Sequence, residues 1–94
     1  MQSFDSPVVQ PLAFFADAML GRLARWLRTL GYDTAYEKVI SDEVLIARVL
    51  TEHRWLLTRD GYLVQRKVLR DRQTLIVSDH LQDQLRQLRS ELHL

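Results

Sequence analysis

The chain has 94 residues, enough for one domain with a single modest core. It is 47% hydrophobic and 27% charged, the balance of an ordinary globular domain. Its net charge is +1, it has no cysteine, and no apolar stretch approaches the roughly 20 residues that cross a bilayer, so disulfides, thiolate metal sites and a membrane-spanning helix are excluded.

Residues 1–11 hold Pro7 and Pro11, show no usable period and are read as a tail; the domain is expected over 12–94. No basic patch followed by an apolar core marks a secretory signal, so a cytoplasmic location is expected. Leu12 to Ala16 is a continuous apolar run, the pattern of a buried parallel strand, and Asp17 ends it. Met19 to Leu30 is predicted as a helix. Met19, Leu20, Leu23, Trp26, Leu27 and Leu30 share one side, and Arg22, Arg25 and Arg28 share the other. No acid falls between Ala18 and Tyr32, so this helix gives the molecule a positive face. Gly31 suits the left-handed position that closes a helix, and Tyr32 to Tyr36 reads as a second strand.

Ser41 is a good N-cap for a helix with Leu45, Ile46, Val49 and Leu50 on one side. At 100° per residue Asp42 falls within that apolar arc and is expected to face inward; Glu43 lies at its margin. The next helix end is expected at His53-Arg54, and Trp55 to Thr58 is a third strand. Gly61 to Val68 is read as a short helix and Thr74 to Val77 as a fourth strand, ended by Ser78-Asp79. Leu81, Leu85, Leu88 and Leu92 mark a final amphipathic helix. Both tryptophans, Trp26 and Trp55, are expected in the core. The β-α repeat order predicts an α/β fold with a parallel sheet of about four strands, right-handed crossovers and helices on both faces.

In such a sheet the strand C-termini and helix N-termini open into one crevice. Asp17, Asp42 and Asp60 are all expected there, with Asp79 as a further candidate. Carboxylates gathered in one place repel unless cations lie between them, and hard oxygen donors select Mg²⁺ or Mn²⁺. The chemistry this pattern predicts is metal-dependent phosphodiester cleavage, with Asp17, Asp42 and Asp60 catalytic and metal-binding. Arg22, Arg25, Arg28 and Arg59 would contact phosphates. Each acid also has a purely structural reading: Asp17 and Asp79 as N-caps, Asp42 as a complement to a helix dipole, Asp60 before Gly61 as a turn residue. His53, His80 and His93 have no ligand spacing. No glycine-rich phosphate loop or serine elbow is present.

The string Phe14-Phe15-Ala16-Asp17-Ala18-Met19-Leu20-Gly21-Arg22-Leu23-Ala24-Arg25-Trp26-Leu27-Arg28 resembles the Mut7-C RNase family of PIN-like nucleases. The likeness continues through Leu30-Gly31-Tyr32-Asp33-Thr34, Ser41-Asp42-Glu43, Leu56-Leu57-Thr58-Arg59-Asp60 and Val77-Ser78-Asp79. It implies a PIN-like three-layer α/β/α sandwich and a Mg²⁺- or Mn²⁺-dependent ribonuclease acting on single-stranded RNA. By motif match Asp17, Asp42 and Asp60 take the family's acidic positions, with Glu43 as the alternative to Asp42 and Asp79 as a weaker fourth ligand. Members commonly continue into a cysteine-rich zinc ribbon; this sequence has none, which leaves a minimal nuclease, a chain trimmed to the core, or a toxin-like stand-alone form. The resemblance also implies a homodimer and, for a toxin-like member, an antitoxin-like inhibitor. The alternative is a catalytically silent PIN-like module that binds RNA or a partner.

Overall fold

The computed structural model describes residues 12–94, and the tail expected over 1–11 lies outside the described residues. Its strands are β1 (Ala13–Ala16), β2 (Asp33–Tyr36), β3 (Trp55–Thr58) and β4 (Gln73–Leu75). Its helices are α1 (Gly21–Thr29), α2 (Asp42–Thr51) and α3 (Leu81–Leu92). The four strands form one parallel sheet in the order β2-β1-β3-β4. Phe15 lies between Ala35 and Leu56 in register, in the middle of the sheet.

This order fixes the layers. From β1 the chain moves one way, to β2; from β2 it crosses β1 in the other direction, to β3. Right-handed crossovers that run in opposite directions must cover opposite faces of a sheet. Side-chain packing agrees. Leu23, Ala24 and Leu27 of α1 join Leu88 of α3 against Phe14, Ala16 and Leu57. Leu45, Ile46 and Val49 of α2 join Leu63 and Leu69 against Phe15 and Leu56 on the other face. Adjacent strand residues point to opposite faces, so the Phe14-Phe15 pair is shared between the two cores. The result is the expected α/β/α sandwich. Among the described residues no helix is long and apolar enough to cross a membrane.

Helix ends follow local chemistry. After α1, the Tyr32 N–H bonds the Leu27 carbonyl and the Gly31 N–H bonds the Arg28 carbonyl, with Gly31 at φ 99°. That pair of bonds is a Schellman cap. The Ser41 hydroxyl accepts the Val44 N–H and opens α2. Gly21 begins α1 close beneath Tyr36: an added Cβ would lie 3.0 Å from the Tyr36 hydroxyl, which donates to the Ala18 carbonyl.

Four expectations need correction. The stretch expected as one helix from Met19 starts as a 3₁₀ turn over Ala18–Leu20 before α1 proper. Trp26 is 47% exposed, not core. The buried stripe centres on Leu23, Ala24 and Leu27, and Trp26 lies roughly 110° from that centre at 100° per residue. Trp55, in contrast, packs against the α1–α3 core and donates its indole N–H to the Thr74 hydroxyl. The helix expected over 61–68 is two 3₁₀ turns, Leu63–Gln65 and Lys67–Leu69, separated by extended Arg66. That break brings Leu63 and Leu69 to one core cluster, whereas residues six apart in one α-helix would diverge by roughly 120°. Finally, β4 stops at Leu75: the Ile76 N–H still bonds the Thr58 carbonyl, but the Asp60 N–H, next in line for the ladder, turns to the Thr58 hydroxyl.

Candidate active site

Adjacent strands β1 and β3 lead to connections that depart in opposite directions, β1 toward β2 and β3 toward β4. The crevice beyond the C-termini of such a pair is where open α/β sheets bind ligands. Asp17 follows β1 directly, and Arg59-Asp60 follows Thr58, the last residue of β3, so two of the expected acids stand on either side of it.

Asp17 is held firmly. Its N–H bonds the Leu57 carbonyl at 3.0 Å, which carries the β1–β3 ladder one residue further. Its side chain is nearly buried, at 7% exposure. Oδ1 accepts the Met19 N–H at 3.0 Å, and Oδ2 accepts the Arg59 N–H at 3.2 Å and the Thr58 hydroxyl. The same Thr58 oxygen accepts the Asp60 N–H at 2.9 Å. One fully buried hydroxyl therefore ties the Asp17 carboxylate to the backbone that carries Asp60. Asp60 Oδ1 accepts the N–H groups of Tyr62 and Leu63, at 2.9 and 3.4 Å. The capping reading of Asp17 and the turn reading of Asp60 are thus both realised, and they fix where the carboxylates stand.

Asp42 differs from expectation. The first turn of α2, Asp42 to Val44, is exposed, and burial begins at Leu45. The helix wheel puts Asp42 over the apolar arc, but packing of α2 begins only at Leu45, so at the first turn that direction meets solvent. Glu43 is also exposed and pairs with Arg66 at 3.6 Å. Asp79 is exposed beside His80, with 3.5 Å between Oδ1 and Nε2. It does not cap α3: His80 is the N-cap residue, and the Ser78 hydroxyl accepts the His80 N–H. Asp17, Asp42 and Asp60 form no ion pair among the described residues.

The arginines divide. Arg22 and Arg25 line a hollow beside Asp79. Arg28 turns to β2 and donates from Nε to the Thr34 carbonyl at 2.8 Å. Arg59 gives its backbone N–H to Asp17 and buries Nη1 without an acceptor among the described residues.

Among the described residues no three of His, Asp and Glu come together as a metal cage. The crevice offers less: two carboxylates, with a hydroxyl linking their supports. Both are hard oxygen donors. They suit a Mg²⁺ or Mn²⁺ ion that keeps most of its waters and takes one or two carboxylates plus substrate phosphate. They do not suit an ion that needs six protein ligands. Nothing in the sequence pattern assigns Thr58 a role beyond ending a strand. Its only signal is a hydroxyl at the last position of an apolar strand, two residues before an aspartate.

A family model described as the Mut7-C RNAse domain matches residues 12–94. No curated protein and no solved structure gives a match.

Proposed function

Because the chain belongs to the Mut7-C RNAse domain family, we propose that it is a metal-dependent ribonuclease whose reaction centre is the crevice between β1 and β3. Membership brings a nuclease-like function with it. The observation that supports this location is the hydroxyl of Thr58, which couples Asp17 to the Asp60 loop at the point where the sheet reverses its winding.

A bound Mg²⁺ or Mn²⁺ would supply Lewis acidity at the phosphate and to the attacking water. Asp17 and Asp60 are the residues proposed to hold it. Three donors fix the Asp17 carboxylate and two fix that of Asp60, so neither needs to reorganise when substrate arrives. Asp42, exposed on the first turn of α2, would orient the attacking water or help hold a second ion, while Glu43 is paired with Arg66. Arg22 and Arg25 hold RNA phosphates on the α1 side. Arg59, whose Nη1 has no acceptor among the described residues, is proposed to meet a phosphate beside Asp60.

Asp17→Asn and Asp60→Asn test the proposal. Each is expected to lower Mn²⁺-stimulated cleavage of single-stranded RNA by about 10²-fold or more, with the circular dichroism spectrum unchanged. Full activity in both variants rejects the assignment. A second reading has one observation in its favour, the lack of three converging acids among the described residues: a silent RNA-binding module on the same scaffold. RNA binding by wild-type protein with no cleavage in either Mg²⁺ or Mn²⁺ would select it.

A further inference from the structure

Two residues beyond Asp17, a hollow of about 280 Å³ opens between the start of α1 and the start of α3. Its lining includes Met19, Arg22, Arg25, Asp79, Leu81 and Gln84. Gln84 is only 6% exposed. A buried amide is costly unless it is hydrogen-bonded. Its Nε2 donates to the Ser78 carbonyl at 2.9 Å, which uses one of two N–H groups. Oε1 accepts no hydrogen bond among the described residues and is not one of their buried unpartnered atoms, so it is open to solvent. The amide is thus anchored at one N–H, and its oxygen stays open to a ligand on a side chain that lines the hollow.

A bare phosphate does not suit this lining. The Gln84 carbonyl and the Asp79 carboxylate are acceptors and repel an anion. A nucleobase suits it better. The free edge of a glutamine amide pairs with a base edge that offers an acceptor next to a donor, and adenine N7 and N6–H match it in bidentate fashion. Met19 and Leu81 give apolar surface for the ring, and Arg22 and Arg25 serve the attached phosphates. The volume falls just below the range of about 300–1,000 Å³ typical of ligand pockets, so it accommodates one nucleoside and not a stacked pair.

We propose that this hollow is a base-recognition subsite that receives one adenine of the RNA beside the scissile phosphate, with Gln84 reading its edge. The inference rests on the ribonuclease reading for its substrate, but its test is a binding experiment that needs no cleavage. Wild-type protein is titrated with AMP, and the Gln84 side-chain amide is followed by ¹H–¹⁵N NMR. AMP is expected to shift that amide, with ribose 5-phosphate and inorganic phosphate leaving it in place. Gln84→Met is expected to weaken AMP binding about tenfold, the order expected for one bidentate pair, and to level the affinities of AMP, CMP, GMP and UMP. An unmoved Gln84 amide, an equal response to ribose 5-phosphate, or full AMP affinity in a folded Gln84→Met protein overturns the subsite. Loss of RNA cleavage in the wild type would instead reject the ribonuclease reading and leave the nucleotide titration to be judged alone.

Discussion

Thr58 holds two loops with one oxygen. The hydroxyl donates to Asp17 and accepts from the Asp60 N–H while the residue is fully buried. Valine has nearly the same shape but neither polar function. Thr58→Val leaves the Asp60 N–H without its acceptor and Asp17 Oδ2 without its hydroxyl donor. The expected loss is about 1–3 kcal/mol of unfolding free energy, read from the urea midpoint at constant slope. RNA cleavage is expected to fall as well, and Thr58→Ser, which keeps the hydroxyl, should recover most of both losses. A Thr58→Val protein with wild-type stability and wild-type cleavage would remove this residue from the site. At this scale the sequence is a partial guide. Asp17 and Asp60 are legible because each stands within two residues of the end of an apolar strand. Asp42 is not legible in the same way, because a helical wheel gives the direction of a side chain but not where along the helix packing begins. Thr58 escaped notice because strand-end threonines are common and nothing in its own identity marks the two bonds it makes.

The helix ends show the same contrast. α1 closes on Gly31, whose positive φ strains nothing. α2 closes with the same pair of bonds, Arg54 N–H to the Val49 carbonyl and His53 N–H to the Leu50 carbonyl, but the left-handed residue is His53, at φ 54°. A side chain in that conformation costs about 1–2 kcal/mol, partly offset in any glycine variant by the greater freedom of the unfolded chain. His53 is exposed, so its side chain gives little in return. His53→Gly is therefore expected to stabilise the protein by about 0.5–1 kcal/mol, visible as a higher midpoint in thermal or urea unfolding; a destabilised variant would contradict the strain argument. The stop after α1 was readable from glycine, whereas the stop after α2 was readable only as a weak break, since histidine has no special claim on that conformation. Beside this cap, Glu52 accepts Arg48 at 2.8 Å and Arg54 at 2.6 Å. The hydrogen bond from Arg48, and then that from Arg54, lowers its pKa to about 2 from an ordinary 4.5. A lowered folded-state pKa stabilises above the unfolded value and is lost as pH falls through the folded one. The Glu52 contribution is thus complete above about pH 4.5 and gone near pH 2. Glu52→Gln should flatten the fall in melting temperature across that window, and an unchanged acid limb would show that the cluster is fully screened by solvent.

At the scale of the molecule, alternation of apolar runs with amphipathic ones was enough to predict a parallel α/β sheet, because each strand type demands cover on both faces. The strand order was not legible, since no side chain announces which neighbour a strand will take. Yet that order, β2-β1-β3-β4, is what places the loop after β1 against the loop after β3. Folding thus brings two carboxylates, 43 positions apart by number, to one crevice before any ligand is present. If a divalent cation binds there, it binds the folded chain and not the unfolded one, so it must raise stability by mass action. At a concentration of one hundred times its dissociation constant the gain is about 2.7 kcal/mol, or roughly 10–20 °C in melting temperature for a domain of this size. Mn²⁺ is expected to give such a rise in wild-type protein and none in Asp17→Asn. Asp60→Asn should lose most of it, and Asp42→Asn, altered on an exposed first turn outside the Thr58 network, should lose less. Chelation should reverse the rise, and Ca²⁺, with its longer bonds and larger shell, should replace Mn²⁺ poorly. A melting temperature indifferent to Mn²⁺ in the wild type would show that the two carboxylates serve only as caps for their own turns. An equal rise in Asp17→Asn would place the ion elsewhere on the protein.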